Sequence, residues 1–170
     1  IGSEGSTRSS QTNYGLLTNK AIASAWPNAD AYVFNSGSLR IDDDINGTIT
    51  AFDVLRSFPY GGPLVRMKID GKGLKEVLSI GDNNRGEGGY LQRYLAEDTG
   101  NEWQINGKPI DDKGEYVIVL PQFLAEGKEA KLEFLADYFF LTQDSFELNG
   151  QTIKNDIRDI VITYLAGDGR

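Results

Sequence analysis

The chain predicts an α+β fold in which a mixed sheet is flanked by helices, and three observations carry that reading. Leu64–Ile69 has a two-residue period, with Arg66 and Lys68 on one face and Val65, Met67 and Ile69 on the other. Short continuous apolar runs, Ala31–Phe34 and Tyr116–Leu120, read as strands buried on both faces. Helical and strand patterns do not alternate strictly along the chain, so the sheet is expected to be mixed rather than doubly wound and parallel. At 170 residues the length is that of one domain with a real core.

The elements follow in order. Residues 1–10, rich in Gly and Ser, are expected as a flexible lead-in, and residues 11–170 as the domain. Leu17, Ala21 and Ala25 recur at helical spacing between Tyr14 and Trp26, with Thr12 or Asn13 as the cap and Pro27-Asn28 as the stop. Beyond the strand at Ala31–Phe34 come Asn35-Ser-Gly-Ser, Leu39-Arg40-Ile41, an acidic turn ending in Asn46-Gly47, and the β-branched Thr48-Ile-Thr50. Asp53–Phe58 predicts one or two helical turns ended by Pro59, and Asp70-Gly71 opens a helix carrying Leu74, Val77 and Leu78. Gly81–Gly89 reads as a loop, while Tyr90–Leu95 fits neither period. Trp103–Ile110 predicts a hairpin around Asn106-Gly107. Leu132–Leu141 is apolar and aromatic, and Ile157, Ile160, Val161 and Tyr164 predict a helix over Ile157–Leu165.

Composition removes most catalytic chemistry. There is no histidine and no cysteine, hence no Ser-His-Asp triad, imidazole base, His-ligated metal, thiol nucleophile or disulfide. Asp and Glu number 25 against 17 Lys and Arg, a net charge of −8 and a pI near 4.6, which opposes a nucleic-acid polymer or an anionic membrane as partner. Apolar runs such as Tyr116–Leu120 fall far short of the ~20 residues of a membrane span. The start, Ile1-Gly-Ser-Glu-Gly-Ser, has neither the basic nor the apolar region of a signal peptide. With no initial Met, the chain is expected to be a piece of a longer protein. Carboxylate chemistry, arginine-based anion binding and aromatic stacking remain open.

Asp42-Asp-Asp-Ile-Asn-Gly-Thr-Ile-Thr-Ala-Phe-Asp53 fits the spacing of an EF-hand calcium loop. The stretch before it is a poor entering helix, and Asp replaces the longer Glu at the twelfth position. An Asn46-Gly47 hairpin turn with a solvated acidic tip is the preferred reading. The same turn contains a glycosylation sequon, Asn46-Gly-Thr48. Asp42/Asp43 and Asp111/Asp112 have the look of paired carboxylates, but nothing around them predicts burial, so they read as surface acids.

A stronger pattern is spread along the chain. Arg8 precedes Gln11-Thr-Asn-Tyr-Gly15, and Asn35-Ser-Gly-Ser-Leu-Arg40 follows a buried strand. Gly47-Thr-Ile-Thr50 comes next, then Phe58-Pro-Tyr-Gly-Gly62, and finally Tyr116–Leu120 running into Pro-Gln-Phe123-Leu-Ala-Glu-Gly127. At these sites the chain resembles the C-terminal domain of the 5'-nucleotidase family, which includes UDP-sugar hydrolases and 2',3'-cyclic nucleotide phosphodiesterases. That family shows, in the same order, an Arg before N-x-G, an N-x-G-G-I-R strand end, G-x-I-T, P-F-G and N-F-x-A-x-G-G-D-G. The match runs from about Arg8 to Gly127.

The resemblance implies a domain that recognises a nucleotide or nucleoside and is not catalytic alone. An N-terminal metallophosphoesterase domain of the same parent chain would hold two divalent metals, with no cofactor in the present piece. By resemblance, Tyr60 and Phe123 stand where two aromatics sandwich the base, Arg8 and Arg40 where arginines meet phosphate or ribose, and Asn35 beside the base. Two opposed rings suit a base with two π-faces, and the arginine fork suits phosphate oxygens. Glu129 takes the place of an Asp that contacts ribose, and Lys128 and Ala130 replace glycines of the family segment. Gln11 and Lys20 stand where many members carry Glu and Asp, and the stretch between Gln92 and Trp103 is shorter than usual. These departures support a competing reading, a diverged non-enzymatic interaction module of the same fold with a degraded pocket. Members of the family are mostly exported, so the resemblance implies a periplasmic or cell-surface location.

Overall fold

The computed structural model describes residues 4–41 and 44–168. Its centre is a five-stranded mixed sheet, in the order β3-β1-β7-β2-β8. The strands are β1 (Ala31–Asn35), β2 (Leu64–Asp70), β3 (Leu91–Tyr94), β7 (Glu115–Pro121) and β8 (Phe140–Leu141). Only β1 and β7 run parallel; the other neighbours are antiparallel. A small three-stranded sheet joins β4 (Ala96–Asp98), β5 (Trp103–Ile105) and β6 (Lys108–Pro109), and β9 (Ser145–Leu148) pairs with β10 (Gln151–Lys154).

The period of two divides the core. Ala31, Val33, Val65, Met67, Ile69, Ile118 and Leu120 face one side, where they pack with Leu74, Val77 and Leu78 of α4 (Gly71–Asn83) and with Trp103, Ile105 and Ile110. Tyr32, Phe34, Leu64 and Val119 face the other, against Tyr14, Ala21 and Ile22 of α2 (Asn13–Ala25) and Ile157, Ile160 and Val161 of α6 (Ile157–Asp168), the helix that follows the one-turn α5 (Gln122–Ala125). β1 and the end of β7 are therefore covered on both faces, which is why they read as unbroken apolar runs, whereas β2 leaves the Arg66–Lys68 face uncovered and alternates.

Most elements fall where the sequence puts them. Thr12 caps α2, its hydroxyl accepting from Gly15 N–H at 3.1 Å. Asp70 caps α4, accepting from Gly73 N–H at 2.6 Å. Asn106-Gly107 forms the two-residue turn between β5 and β6.

Three segments differ. Secondary structure begins early, with helix α1 (Glu4–Ser9) inside the stretch expected as a flexible lead-in: Thr7 is fully buried, and Gln92 donates to the carbonyls of Thr7 and Ser10 at 2.7 and 2.6 Å. Helix α4 continues through Gly81 to Asn83; the glycine there serves close packing, since Leu91 of β3 stands where a side chain at 81 would be, and does not end the helix. The Asn46-Gly47 hairpin is absent, since residues 44–50 carry no strand. They lead instead into α3 (Ala51–Ser57), where Asp53 completes a capping box. Its carboxylate accepts from the N–H and hydroxyl of Thr50 at 2.9 and 2.6 Å, so local capping outcompetes a turn with no partner strand.

That bond also occupies the twelfth position of the calcium-loop pattern; Asp42 and Asp43, at its start, lie outside the described residues. Asp112 pairs with Lys75 at 2.7 Å, and the carboxylate of Asp111 accepts from Lys113 N–H, so this second acid pair is engaged on the surface. Among the described residues no three Cys, Asp or Glu side chains come together as a metal site requires, and no helix is long and apolar enough to cross a membrane.

Candidate functional site

Strand direction decides where the site forms. β1 and β7 are parallel, so Asn35 and Pro121 end at the same edge of the sheet. β2 and β3 are antiparallel to them and begin there, with Leu64 opposite Pro121 and Leu91 opposite Asn35. Four loops that are distant in sequence therefore meet at one edge. Between them lies a cleft of about 430 Å³, lined by Asn35, Gly37, Ser38, Arg40, the segment Tyr60–Pro63, Gly88, Pro121, Phe123 and Glu129. That volume lies within the common range for small-ligand pockets, about 300–1,000 Å³.

Five of the six residues expected at the site line this cleft: Asn35, Arg40, Tyr60, Phe123 and Glu129. The sixth, Arg8, sits in the last turn of α1, outside the lining, and its carbonyl accepts from Gly86 N–H at 2.7 Å. Tyr60 is 75% and Phe123 45% exposed; Phe52 and Phe139 are also exposed, but of the four only Tyr60 and Phe123 line the cleft. The Arg40 guanidinium lies over the Tyr60 ring, 6.0 Å from its centroid, a cation–π arrangement that keeps a positive charge at the rim.

The polar wall is built from backbone. Asn35, 7% exposed, accepts from the Ser38 hydroxyl at 2.9 Å through its side-chain carbonyl. Gly37 donates to Gly88 carbonyl at 2.7 Å, and a side chain at 37 would stand 3.1 Å from that same oxygen. The two glycines thus let two loops touch directly. Opposite, burial raises the Glu129 carboxyl above its usual range, although a backbone hydrogen bond from Ala130 acts against the shift. Lys128, at the altered position of the family segment, turns to Glu126 at 2.5 Å.

The turn carrying Tyr60 is held from a direction the sequence did not suggest. Asn155 takes both peptide groups of Leu64: its side-chain carbonyl accepts from Leu64 N–H, and its side-chain amide donates to Leu64 carbonyl, each at 2.8 Å. Asp156 accepts from Gly62 N–H at 3.3 Å and grips Arg158 through Nε at 2.9 Å and Nη2 at 2.8 Å. An Asn-Asp pair immediately before a helix is a capping signal, and Asp156 does accept from Arg158 N–H at 2.9 Å. That signal marks a helix start, however, and gives no hint of the loop about 95 residues earlier.

Comparison with known proteins decides the family. A profile of the 5'-nucleotidase C-terminal domain matches residues 2–137. The chain belongs to this family. Among curated relatives, UshA of Yersinia enterocolitica is 28% identical over 145 residues, 81% of this chain and 26% of that protein. A 5'-nucleotidase precursor from Thermus thermophilus has the same fold, with a TM-score of 0.75, 19% identity, and 97% of this chain covering 34% of the other. The NAD nucleotidase of Haemophilus influenzae follows at a TM-score of 0.60 and 16% identity, over 89% of this chain and 28% of its own. The chain thus spans between a quarter and about a third of these relatives. Asn155, Asp156 and Arg158, which hold the turn carrying Tyr60, lie beyond the residues that the family profile matches.

Proposed function

We propose that this chain is the nucleotide- or nucleoside-recognising domain of a two-domain, metal-dependent 5'-nucleotidase-like phosphohydrolase. The observation that carries the reading is the pair of exposed rings, Tyr60 and Phe123, lining one cleft with Arg40, Asn35 and Glu129. A base slots between the rings, Arg40 meets phosphate or ribose oxygens, and Glu129 accepts from sugar hydroxyls. Two divalent metals belong to an N-terminal metallophosphoesterase domain of the same parent, where they would activate the attacking water. In this reading the present chain's share of the reaction is to bind and orient the substrate. The relatives' names, 5'-nucleotidase and NAD nucleotidase, support a nucleotide as substrate. Location in the periplasm or outside the cell belongs to the same proposal.

Titration calorimetry with adenosine, AMP and UDP-glucose tests the reading. Binding by at least one of them, abolished or strongly weakened by Phe123→Ala, is expected, together with no phosphate release by the isolated chain in the presence of Mg²⁺ or Mn²⁺. Silence across the panel would favour the second reading, an interaction module with a degraded pocket. Its support is Lys128, which pairs with Glu126 and does not line the cleft.

A further inference from the structure

We infer that Asp156 and Arg158 are positioning residues that set the aspect of the Tyr60 ring in the cleft, an inference that rests on the ligand-clamping role proposed for that ring. Tyr60 projects from the turn Phe58–Pro63 at the mouth of the cleft and is three-quarters exposed, so little of the ring's own surface is held by packing. Apart from the Arg40 guanidinium over the ring, its orientation depends on the backbone beneath it. That backbone runs through Gly61 and Gly62 with φ of +59° and +119°, conformations that glycine adopts without strain and that, unsupported, would interconvert freely.

The support comes from the start of α6. Asp156, whose side chain is only 8% exposed, holds the Arg158 guanidinium by two parallel bonds and the Gly62 N–H by a third. The guanidinium lies flat against Gly61: a Cβ placed there would stand 2.3 Å from Arg158 Nε and 2.4 Å from its central carbon. Gly62 carbonyl in turn accepts from Ile157 N–H at 3.1 Å. The two residues after Tyr60 are therefore fixed by hydrogen bonds on both peptide groups of Gly62 and by a planar cation seated on Gly61. A rigid fork is suited to this, and a lysine, with a single flexible ammonium, is not. Holding the turn before ligand arrives spares binding the cost of ordering it.

The test uses the intact chain with 3-fluorotyrosine placed at position 60 and compares it with Arg158→Lys, which leaves a cation for Asp156, and with the neutral pair Asp156→Asn/Arg158→Gln. Arg158 is about a third exposed (31%), and Asn keeps the size and shape of the buried Asp156, so neither replacement opens a cavity in the core. In ligand-free protein, the fluorine resonance of Tyr60 is expected to move toward the free amino-acid position and to narrow in both variants, while circular dichroism stays unchanged. Affinity for AMP is expected to fall roughly tenfold, a part of what a stacked ring contributes. The same variants in a Tyr60→Ala background are expected to lose nothing further. An unchanged fluorine signal, or an equal loss of affinity in the Tyr60→Ala background, overturns the inference. If the unaltered chain binds none of the nucleotides, the proposed function fails, and the fluorine spectrum still decides whether the clamp orders the ring.

Discussion

The backbone N–H of Gln122 donates to the carbonyl of Pro63 at 2.9 Å, so the chain that presents Phe123 is tied directly to the chain that presents Tyr60. This bond continues the β2–β7 ladder one step past Leu64 and Pro121, to where both strands turn into the loops of the cleft. The spacing of the two rings is thus a property of the sheet. Both rings line the same cleft.

Removing either ring should therefore weaken a bound nucleotide by what one stack contributes, about 1–3 kcal/mol or roughly 5- to 150-fold. Calorimetry on Tyr60→Ala, Phe123→Ala and the double variant is expected to show less than additive losses. A base that has lost one ring is already wetted on that face and stacks less firmly on the other. Strictly additive losses would mean that the rings act on separate ligands or separate parts of one.

Arg40 lies at the rim, over Tyr60; in the proposed function its charge meets the phosphate of the ligand and its plane extends the stacking surface. Arg40→Gln is expected to weaken AMP about tenfold and adenosine by much less, and added salt should erase most of the difference between the two ligands in the unaltered chain. Equal losses for AMP and adenosine would assign Arg40 to the sugar or base.

Glu129 behaves oppositely in stability and in binding. Burial raises its carboxyl above the ordinary 4.5, so the folded chain holds that proton more tightly than the unfolded one. Its contribution favours folding in acid and is withdrawn as pH rises through the unfolded value and then the folded one. Glu129→Gln should accordingly raise Tm at pH 7, with the two melting curves converging below about pH 4. If Glu129 accepts from sugar hydroxyls as proposed, nucleoside affinity should fall in the same variant, because that ionised acceptor is lost. A Tm difference that is constant with pH would show that the ionised carboxylate is not the destabilising group.

Much of this molecule is legible before folding, for reasons that can be named. Val65, Met67 and Ile69 alternate with polar residues, and the caps Thr12 and Asp70 act within three residues of themselves, so local pattern and local structure coincide. The site residues Asn35, Arg40, Tyr60, Phe123 and Glu129 carry a recognisable order along the chain, and sheet direction brings them to one edge. What escapes is long-range. Among the described residues β9 and β10 are short, half-exposed strands that pair only with each other, and helix α1 is held by Gln92 and Arg85, some 80 residues away. The Thr48-Ile-Thr50 segment misleads because β-branched residues favour a strand only when one lies alongside, and here Asp53 offers a cap instead. The Asn155–Arg158 clamp is long-range in the same way: each of its bonds to the Tyr60 turn crosses more than 90 residues.

Asn155 shows how much that escaped contact matters. β8 pairs with β2 only at Arg66 and Met67, so the peptide groups of Leu64 find no strand partner on that side. Asn155, 6% exposed, replaces the missing strand. One side-chain amide meets Leu64 N–H, Leu64 carbonyl and Gln143 carbonyl, all at 2.8 Å. Asn155→Ala leaves these buried groups unsatisfied and is expected to cost about 2–3 kcal/mol, read from urea unfolding. Asn155→Asp keeps the acceptor for Leu64 N–H but turns a carboxylate oxygen toward two carbonyls. At pH 7 it should be the more damaging substitution despite its closer shape. Its folded form should take up a proton above the usual carboxylate range, since an un-ionised acid restores one of the two donors. Its deficit should therefore shrink as pH falls toward about 4, while that of Asn155→Ala stays flat. If the two variants keep the same order and spacing across that range, the side-chain amide is not acting as the strand's replacement.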